Sequence, residues 1–573
     1  MEKGFMRDER PYHRHLLWLI FITTFFRLIY INLINLCPDE TYYWDLSRHL
    51  QLSYFDHPPL QMYLIALFTK IFGNTEFGVR LPSIVNSGAI TFLMYLTGKE
   101  LYGPKVGFYS SLLLTITPIY AAGSILATID TPFALFWVLA LYFGIRALKT
   151  ERGSWWYLNG AAIGLGLLSK YIMILFIPAF AIFLLLSKEH QFWLKRKEPY
   201  IGGVISLVIF SPVIFWNSQN NWVSFRFQLT HGFAGKQTWS ASSFLQYLGS
   251  QAGVISPLLF AMCIFAIILG VFLWLKKGDW RHLFLVTMSS SVLLFFAYSS
   301  LKAKVEGNWP MPAYFSIFIL LVSFYCKSSY PYKRTWAIII AGTSLLFTFA
   351  AFSQAVFPLI PIKHDITDQF HGWKGLGGEF ESILNNLHKD SPAGNFFIMA
   401  DSHQLISELS FYIPSQPQIY KLATNNRPDQ YDLFEKPEKG LDAVVITGSS
   451  DDSKAYAETF FSEIKEINSL KLKRGDRVLK TYRVYFCKNF LGFKSNSPGV
   501  IPRSRVGGTV APERLAGSNW VPIKASRRRK ASPLEAGRLP RLRALDRSIA
   551  EARSKGATVP PFTEGLRPIH NFH

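Results

Sequence analysis

Apolar residues in this chain come in long blocks rather than singly. From Leu16 to Leu359, Ile-, Leu- and Phe-rich runs of about 15–25 residues recur, which is the length needed to cross ~30 Å of hydrocarbon. No water in that layer can satisfy backbone N–H and C=O groups, so the runs are expected to be helices. Eleven spans are expected near 16–36, 81–101, 107–125, 131–148, 156–169, 171–187, 200–216, 244–275, 282–299, 311–326 and 336–360. The composition agrees: 50% of residues are hydrophobic and 17% charged, against about 25% charged in a soluble domain. The first run is too long for the apolar core of a cleavable signal and has no small-residue cleavage site, so it reads as a span.

Basic residues in short loops orient such a bundle. The groups are Lys3, Arg7, Arg10 and Arg14; Lys99 and Lys105; Arg146, Lys149 and Arg152; Lys188, Lys195, Arg196 and Lys197; Lys276, Lys277 and Arg281; and Lys327, Lys333 and Arg334. One alternating assignment puts all six in the cytoplasm, with the N-terminus. The segments left on the far side are 37–80, 217–243, 300–310 and everything beyond residue 360. The expected domains are therefore a transmembrane part, 1–360, and an extracytoplasmic part, 361–490. In the latter, β-type runs such as Phe396–Ala400 and Ala443–Thr447 alternate with helical stretches, a small α/β pattern. Residues 491–573 are Pro-, Arg-, Gly- and Ser-rich and are expected to be disordered, apart from one short helix at Leu542–Ser554.

The net charge of +22 does not point to nucleic acid. The tail alone holds 16 Lys and Arg against 5 Asp and Glu, a surplus of 11, and many of the others line the inside loops. The four cysteines have no metal spacing. Cys263 and Cys326 fall in or at the end of apolar spans and read as small hydrophobes. Cys37 and Cys487 would both lie outside, where a disulfide between them is open.

Acids just outside the membrane are the sharpest chemical signal. Cys37-Pro38-Asp39-Glu40-Thr41-Tyr42-Tyr43-Trp44 follows the first span, with Pro38 suited to a first helical turn and the two acids at its positive end. Plain N-terminal capping fits the same pattern. Tyr54-Phe55-Asp56-His57-Pro58-Pro59-Leu60 fixes an Asp-His pair ahead of two prolines. It could bind phosphate, ligate a metal or hydrogen-bond locally. Asp130 sits where the third span meets the outer surface, and Lys170 interrupts an apolar block at the same level. Ionisable groups at that depth are functional candidates, although capping by Asp130 and snorkelling by Lys170 would also account for them. Arg80, Arg226, Lys236, Lys302 and Lys304 are cations on the wrong side for the orientation rule. Glu306 stands beside the last of them, in Lys304-Val305-Glu306-Gly307-Asn308-Trp309-Pro310. Acids that activate a hydroxyl and cations that hold a departing phosphate are what glycosyl transfer from a lipid phosphate requires.

Asp39-Glu40-Thr41-Tyr42-Tyr43, Tyr54 to Leu60 and Phe77-Gly78-Val79-Arg80-Leu81-Pro82-Ser83 resemble the signature of the C-type membrane glycosyltransferases (GT-C fold). Within these, the chain is similar to bacterial relatives of the dolichyl-phosphate-mannose–protein mannosyltransferases, family 39. The Lys304 to Pro310 run and His371-Gly372-Trp373 resemble later motifs of the family, and the likeness covers about residues 15–490. It implies Asp39 as general base, supported by Glu40, with Asp130 matching a second acid of many members. In the related lipid A aminoarabinose transferases a Lys stands where this chain has His57, so phosphate contact by His57 depends on its protonation. His57, Arg80, Arg226, Lys302 and Lys304 are the expected donor-phosphate set, with Asp56, Asp130, Lys170 and Glu306 as further site candidates. The sequence requires no cofactor. A divalent metal at Asp56 is left open.

The expected function is inverting transfer of a sugar from a polyprenyl phosphate to a hydroxyl of lipid A, core glycan or protein. It would take place on the periplasmic face of a multi-pass inner-membrane protein, amid membrane lipids and without nucleic acid. A polytopic lipid or sugar transporter, or a flippase, is the alternative. Against it, the acids cluster in outer loops rather than mid-span and no inverted repeat is visible.

Overall fold

The computed structural model describes residues 2–233, 239–390, 396–422, 428–448 and 451–493, all within the compact unit Met1–Arg505. Lys236, the helix expected at Leu542–Ser554 and the rest of the tail from residue 494 lie outside the described residues.

The apolar blocks are helices. In chain order they are α1 (Glu2–Tyr30), two shorter helices α2 (Pro38–Ser47) and α3 (Leu60–Phe72), then α4 (Glu76–Tyr102), α5 (Pro104–Thr115), α6 (Pro118–Gly123), α7 (Asp130–Thr150), α8 (Ser154–Leu167) and α9 (Phe176–Leu186). After these come α10 (Glu198–Gln219), α11 (Val223–Phe233), α12 (Ala241–Ile255), α13 (Pro257–Lys277), α14 (Trp280–Ser300), α15 (Met311–Lys327) and α16 (Lys333–Val356). Six of them, α4, α7, α10, α13, α14 and α16, are long and apolar enough to cross a bilayer by length and composition alone. Shorter apolar helices cover Leu60–Phe72, Tyr171–Leu186 and Met311–Lys327. The chain is a multi-pass membrane protein.

Helices stand at all eleven expected positions, but prolines redraw two of them. Pro118 divides the expected 107–125 span into α5 and α6. Pro257 divides 244–275 into α12 and α13, with Ser256 between them at φ +84°. In each case the proline, which donates no N–H, opens the next helix, where that N–H is unsatisfied anyway. The first helix stops at Tyr30 rather than Leu36.

Close helix crossings use small residues, as expected where lipid removes most of the hydrophobic drive between helices. A Cβ on Gly160 of α8 would meet the Gly202 carbonyl oxygen of α10 at 2.0 Å, and one on Gly202 would meet the Trp156 oxygen at 2.5 Å. At the end of the bundle away from α2, Glu100 accepts from Arg146 at 3.2 Å and pairs with Lys149 at 3.0 Å. Arg281 reaches the Leu101 carbonyl there. Basic groups from separate loops thus collect at one end.

Beyond α16 the chain builds α17 (Trp373–Asp390), β1 (Phe396–Ala400), α18 (His403–Tyr412), β2 (Ile419–Lys421), β3 (Asp442–Gly448), α19 (Asp451–Ala457), β4 (Phe461–Arg474) and β5 (Arg477–Phe490). The sheet order is β2-β1-β3-β5-β4, with β1 parallel to β2 and β3 and the β3-β5 and β5-β4 pairs antiparallel. Gly372, in the turn before α17, has φ +84°, and a Cβ there would lie 2.4 Å from the Lys473 oxygen. Glycine is what lets the turn pass under β4. The sheet's core continues into the membrane-proximal part: Leu405, Ile406 and Leu409 of α18 share a cluster with Tyr42, Trp44 and Leu46 of α2. The four cysteines are free, Cys37 and Cys487 sitting in separate apolar clusters, so the disulfide left open by the sequence is not made.

Candidate active site

The site begins with how α2 starts. Glu40, in its first turn, accepts from the Cys37 N–H at 3.0 Å, the reach-back half of a capping box. The same carboxylate accepts from Arg80 Nε at 2.8 Å and Nη2 at 2.6 Å, and from the Ala127 N–H at 2.9 Å. Arg80 spends its remaining donors on the Ile31, Ile34 and Asn35 carbonyls. Both side chains are fully buried, at 0% exposure. This corrects two sequence expectations. Glu40 was expected beside the base in the chemistry, yet four donors already occupy its oxygens. Arg80 was expected on the donor phosphate, yet its guanidinium is consumed and inaccessible. Together they form a bidentate clamp that ties α1, α2, α4 and the segment before α7. Asp39, next to the clamp, is exposed at the positive end of α2.

A second support for α2 comes from far along the chain. The Leu36 N–H donates to the Tyr412 hydroxyl, which donates to Glu76 at 2.7 Å. Thr41 bonds Ser407 at 3.1 Å, the Gln430 N–H donates to Tyr42 at 3.1 Å, and Tyr431 donates to Asp45 at 2.7 Å. Phe411 meets Trp44 edge-on, with ring centroids 4.9 Å apart. None of these partners carries a local sequence signal, which is why none was singled out.

Asp39, Asp56 and Asp130, chosen from three segments, gather around one phenol. Tyr43 is buried, and its hydroxyl is pushed well up by that burial and then by the Asp39, Asp130 and Asp56 carboxylates. The His57 ring lies edge-on to the Tyr43 ring, 5.5 Å away. Asp56 is buried, accepts from Tyr42 at 3.4 Å, and offers its backbone carbonyl to Gln228 of α11 at 2.6 Å. Phe55 and Phe227 seal the same contact at 5.2 Å. Asp130 accepts from Lys170 at 2.6 Å and from Asn308 at 2.9 Å. Residues of the segments 37–80, 217–233 and 300–310 therefore meet here. Asn308 lies inside a motif quoted from the sequence, but an amide there carried no charge to flag it.

The remaining cations differ in how they are held. Arg226 is exposed on α11, next to Phe227. Lys302 donates to the Tyr298 hydroxyl at 2.9 Å and lies over the Tyr298 and Trp239 rings at 4.9 Å and 5.6 Å. Lys304 pairs with Glu306 at 3.0 Å, both exposed. His371 and Trp373 face backbone instead, on the Ala355 and Gln369 carbonyls. Among the described residues no three His, Cys, Asp or Glu side chains stand close enough to hold a metal.

A family model described as dolichyl-phosphate-mannose-protein mannosyltransferase matches residues 56–216, so the resemblance read from the motifs holds over that stretch. The chain is 25% identical over 420 residues to the lipid A galacturonosyltransferase RgtD of Rhizobium johnstonii, covering 71% of this chain and 85% of that protein. It is 27% identical over 320 residues to an undecaprenyl phosphate-alpha-4-amino-4-deoxy-L-arabinose arabinosyl transferase of Pseudomonas fluorescens, 50% of this chain and 52% of that one. The chain thus spans most of the first relative and about half of the second. Its fold is that of the crystal structure of ArnT from Cupriavidus metallidurans, at TM-score 0.58 and 16% identity over 83% of this chain and 98% of that one. The form of that protein bound to undecaprenyl phosphate superposes equally, at TM-score 0.58.

Proposed function

We propose that this chain is an inverting glycosyltransferase that moves a sugar from a polyprenyl phosphate to a hydroxyl of a cell-envelope acceptor. The observation that carries this reading is the exposed Asp39 carboxylate, held on a locked helix start beside Asp56 and Asp130, which Gln228 and Asn308 of two further segments contact. Asp39 takes the proton of the acceptor hydroxyl. The oxygen attacks the anomeric carbon from the face opposite the phosphate, the bond to the phosphate oxygen breaks, and the lipid phosphate leaves with the electron pair. One displacement inverts the anomeric centre. In this reading the departing charge is met by His57, Arg226, Lys302 and Lys304, since cations stabilise a leaving phosphate best where its charge develops. Glu306 keeps Lys304 paired until the donor arrives. Lys170, paired to Asp130, holds that acid together with Asn308.

No step is routed through a metal ion. Lipid A is the acceptor that the name of the first relative supports, and an undecaprenyl phosphate sugar is the donor that the name of the second supports; a core glycan or a protein is the second acceptor reading. By the distribution of basic loops, the protein sits in the inner membrane with its N-terminus cytoplasmic and with the site and sheet domain periplasmic.

The test is release of undecaprenyl phosphate from an undecaprenyl-phosphate sugar by the purified full-length chain, with lipid A present. Asp39→Asn should lower the rate by about 10²–10⁴-fold, the usual contribution of a positioned base, with expression and unfolding unchanged. Retained activity in that variant sinks the assignment. Transport of the donor without release of polyprenyl phosphate would favour the flippase reading.

A further inference from the structure

At the end of the bundle away from α2, two cations from different helices share one aromatic ring. Arg281, at the start of α14, has its guanidinium carbon 5.1 Å from the Tyr102 ring centroid. Lys327, at the end of α15, has its ammonium 4.7 Å from the same centroid. At most 9.8 Å separates the two charges. One such contact per 70–80 residues is typical, and two on one ring concentrate positive charge at one point. Lys276 and Lys277, exposed at the end of α13, add to it.

The acids present do not balance this. Asp279 is taken by Arg281 in a bidentate pair at 2.9 Å and 2.8 Å, and Glu189 acts on Arg281 from the next loop. Lys327 forms no ion pair among the described residues. Beneath the cations, His282 stacks on Tyr102 at 6.3 Å and 28° and touches the Phe324 ring at 5.5 Å. It is 4% exposed, and among the described residues neither ring nitrogen has a hydrogen-bond partner. Its approach to Asp279, 3.9 Å, is too long for one. A buried polar ring without a partner is unfavourable unless something outside the chain completes it.

We propose that the Tyr102–Arg281–Lys327 cluster, with His282 at its base, is a binding site for the headgroup phosphate of an anionic phospholipid. The helix ends place it at the level of lipid headgroups. There a basic pocket between helices gains about 1 kcal/mol per Lys or Arg from the anionic surface, or about fivefold in affinity for each. The tyrosine ring suits the interface and holds both cations toward it. The lipid phosphate accepts from Lys327 and from the outer guanidinium face, and a headgroup or glycerol hydroxyl meets His282. The site is separate from the proposed transfer chemistry at the opposite end, so it would hold a structural lipid rather than a substrate.

The experiment follows thermal unfolding of the full chain in uncharged detergent while phosphatidylglycerol is titrated in. Phosphatidylcholine and inorganic phosphate serve as parallel probes. Phosphatidylglycerol should raise the midpoint by a few degrees through preferential binding to the folded state, and the other two should not. Arg281→Gln with Lys327→Gln should move half-saturation about 30-fold higher. Lys195→Gln with Lys197→Gln removes the same charge from another loop on that end and should stay within roughly threefold of the unaltered protein. Lys327→Gln alone guards against misfolding of the double variant, because that side chain is exposed; it should lose about fivefold. Equal loss in both double variants would reduce the effect to general surface charge and overturn the proposal. So would an unchanged response in Lys327→Gln, or an equal response to inorganic phosphate.

Discussion

Replacing Glu40 by Gln tests whether the acid beside Asp39 belongs to the frame or to the chemistry. Its carboxylate accepts four hydrogen bonds, two from Arg80 and one each from Cys37 and Ala127, with both charged side chains fully buried. A Gln amide keeps the volume but removes the negative charge and presents two donors where only donors wait. Breaking a buried pair by removing one partner destabilises by about 3–5 kcal/mol, because the remaining charge is left uncompensated. No solvent screening reduces that figure at zero exposure. The assay is the unfolding midpoint of purified protein in detergent, together with the turnover of the fraction that stays folded. Glu40→Gln should unfold well below the unaltered chain, and Asp39→Asn should unfold with it. Removing both charges with Glu40→Leu and Arg80→Met should destabilise less than the sum of the single changes, since no orphaned ion remains. A Glu40→Gln protein that unfolds normally yet is inactive would refute the frame argument and return Glu40 to the chemistry.

Tyr412→Phe should lower kcat without moving KM, because it frees the turn at Leu36 that sets Asp39 while leaving donor contacts alone; about 1–3 kcal/mol of stability goes with the orphaned N–H. Lys170→Met leaves Asp130 with Asn308 alone, so activity should fall and Asp130→Asn with Lys170→Met should recover stability relative to Lys170→Met, read as unfolding midpoints. Gly160→Ala should impair folding or expression, since its Cβ would meet the Gly202 oxygen at 2.0 Å. Glu408, in α18, is fully buried, and burial followed by the Glu40 carboxylate pushes its proton affinity well up. The folded chain therefore holds a proton that the unfolded chain releases at the ordinary carboxyl value. Stability from this group is complete below that value and declines as pH rises toward the folded one. Glu408→Gln should flatten that decline and raise the unfolding midpoint at pH 8 more than at pH 5.

The membrane class, the approximate place of the apolar helices, and the position of Asp39, Asp56 and Asp130 beside the spans were legible in the sequence. Hydrophobic length and loop charge are summed along the chain, and an acid beside a span is conspicuous because water is scarce there. Pro118 and Pro257 were visible too, yet whether a proline bends a span or restarts it depends on what packs against the freed carbonyls. Asp39 and Glu40 are neighbours of the same chemical type, and nothing local distinguishes the exposed acid from the buried one. Arg80 settles that from 40 residues away. Charge and side alone put Arg80 with Lys302 and Lys304, while its burial put it elsewhere. The acids, the span lengths and the motif order are thus properties of the chain itself. Which carboxylate meets solvent, which cation is consumed inside, and which distant tyrosine steadies the turn before Asp39 were decided only by packing, because burial is a property of three-dimensional neighbours.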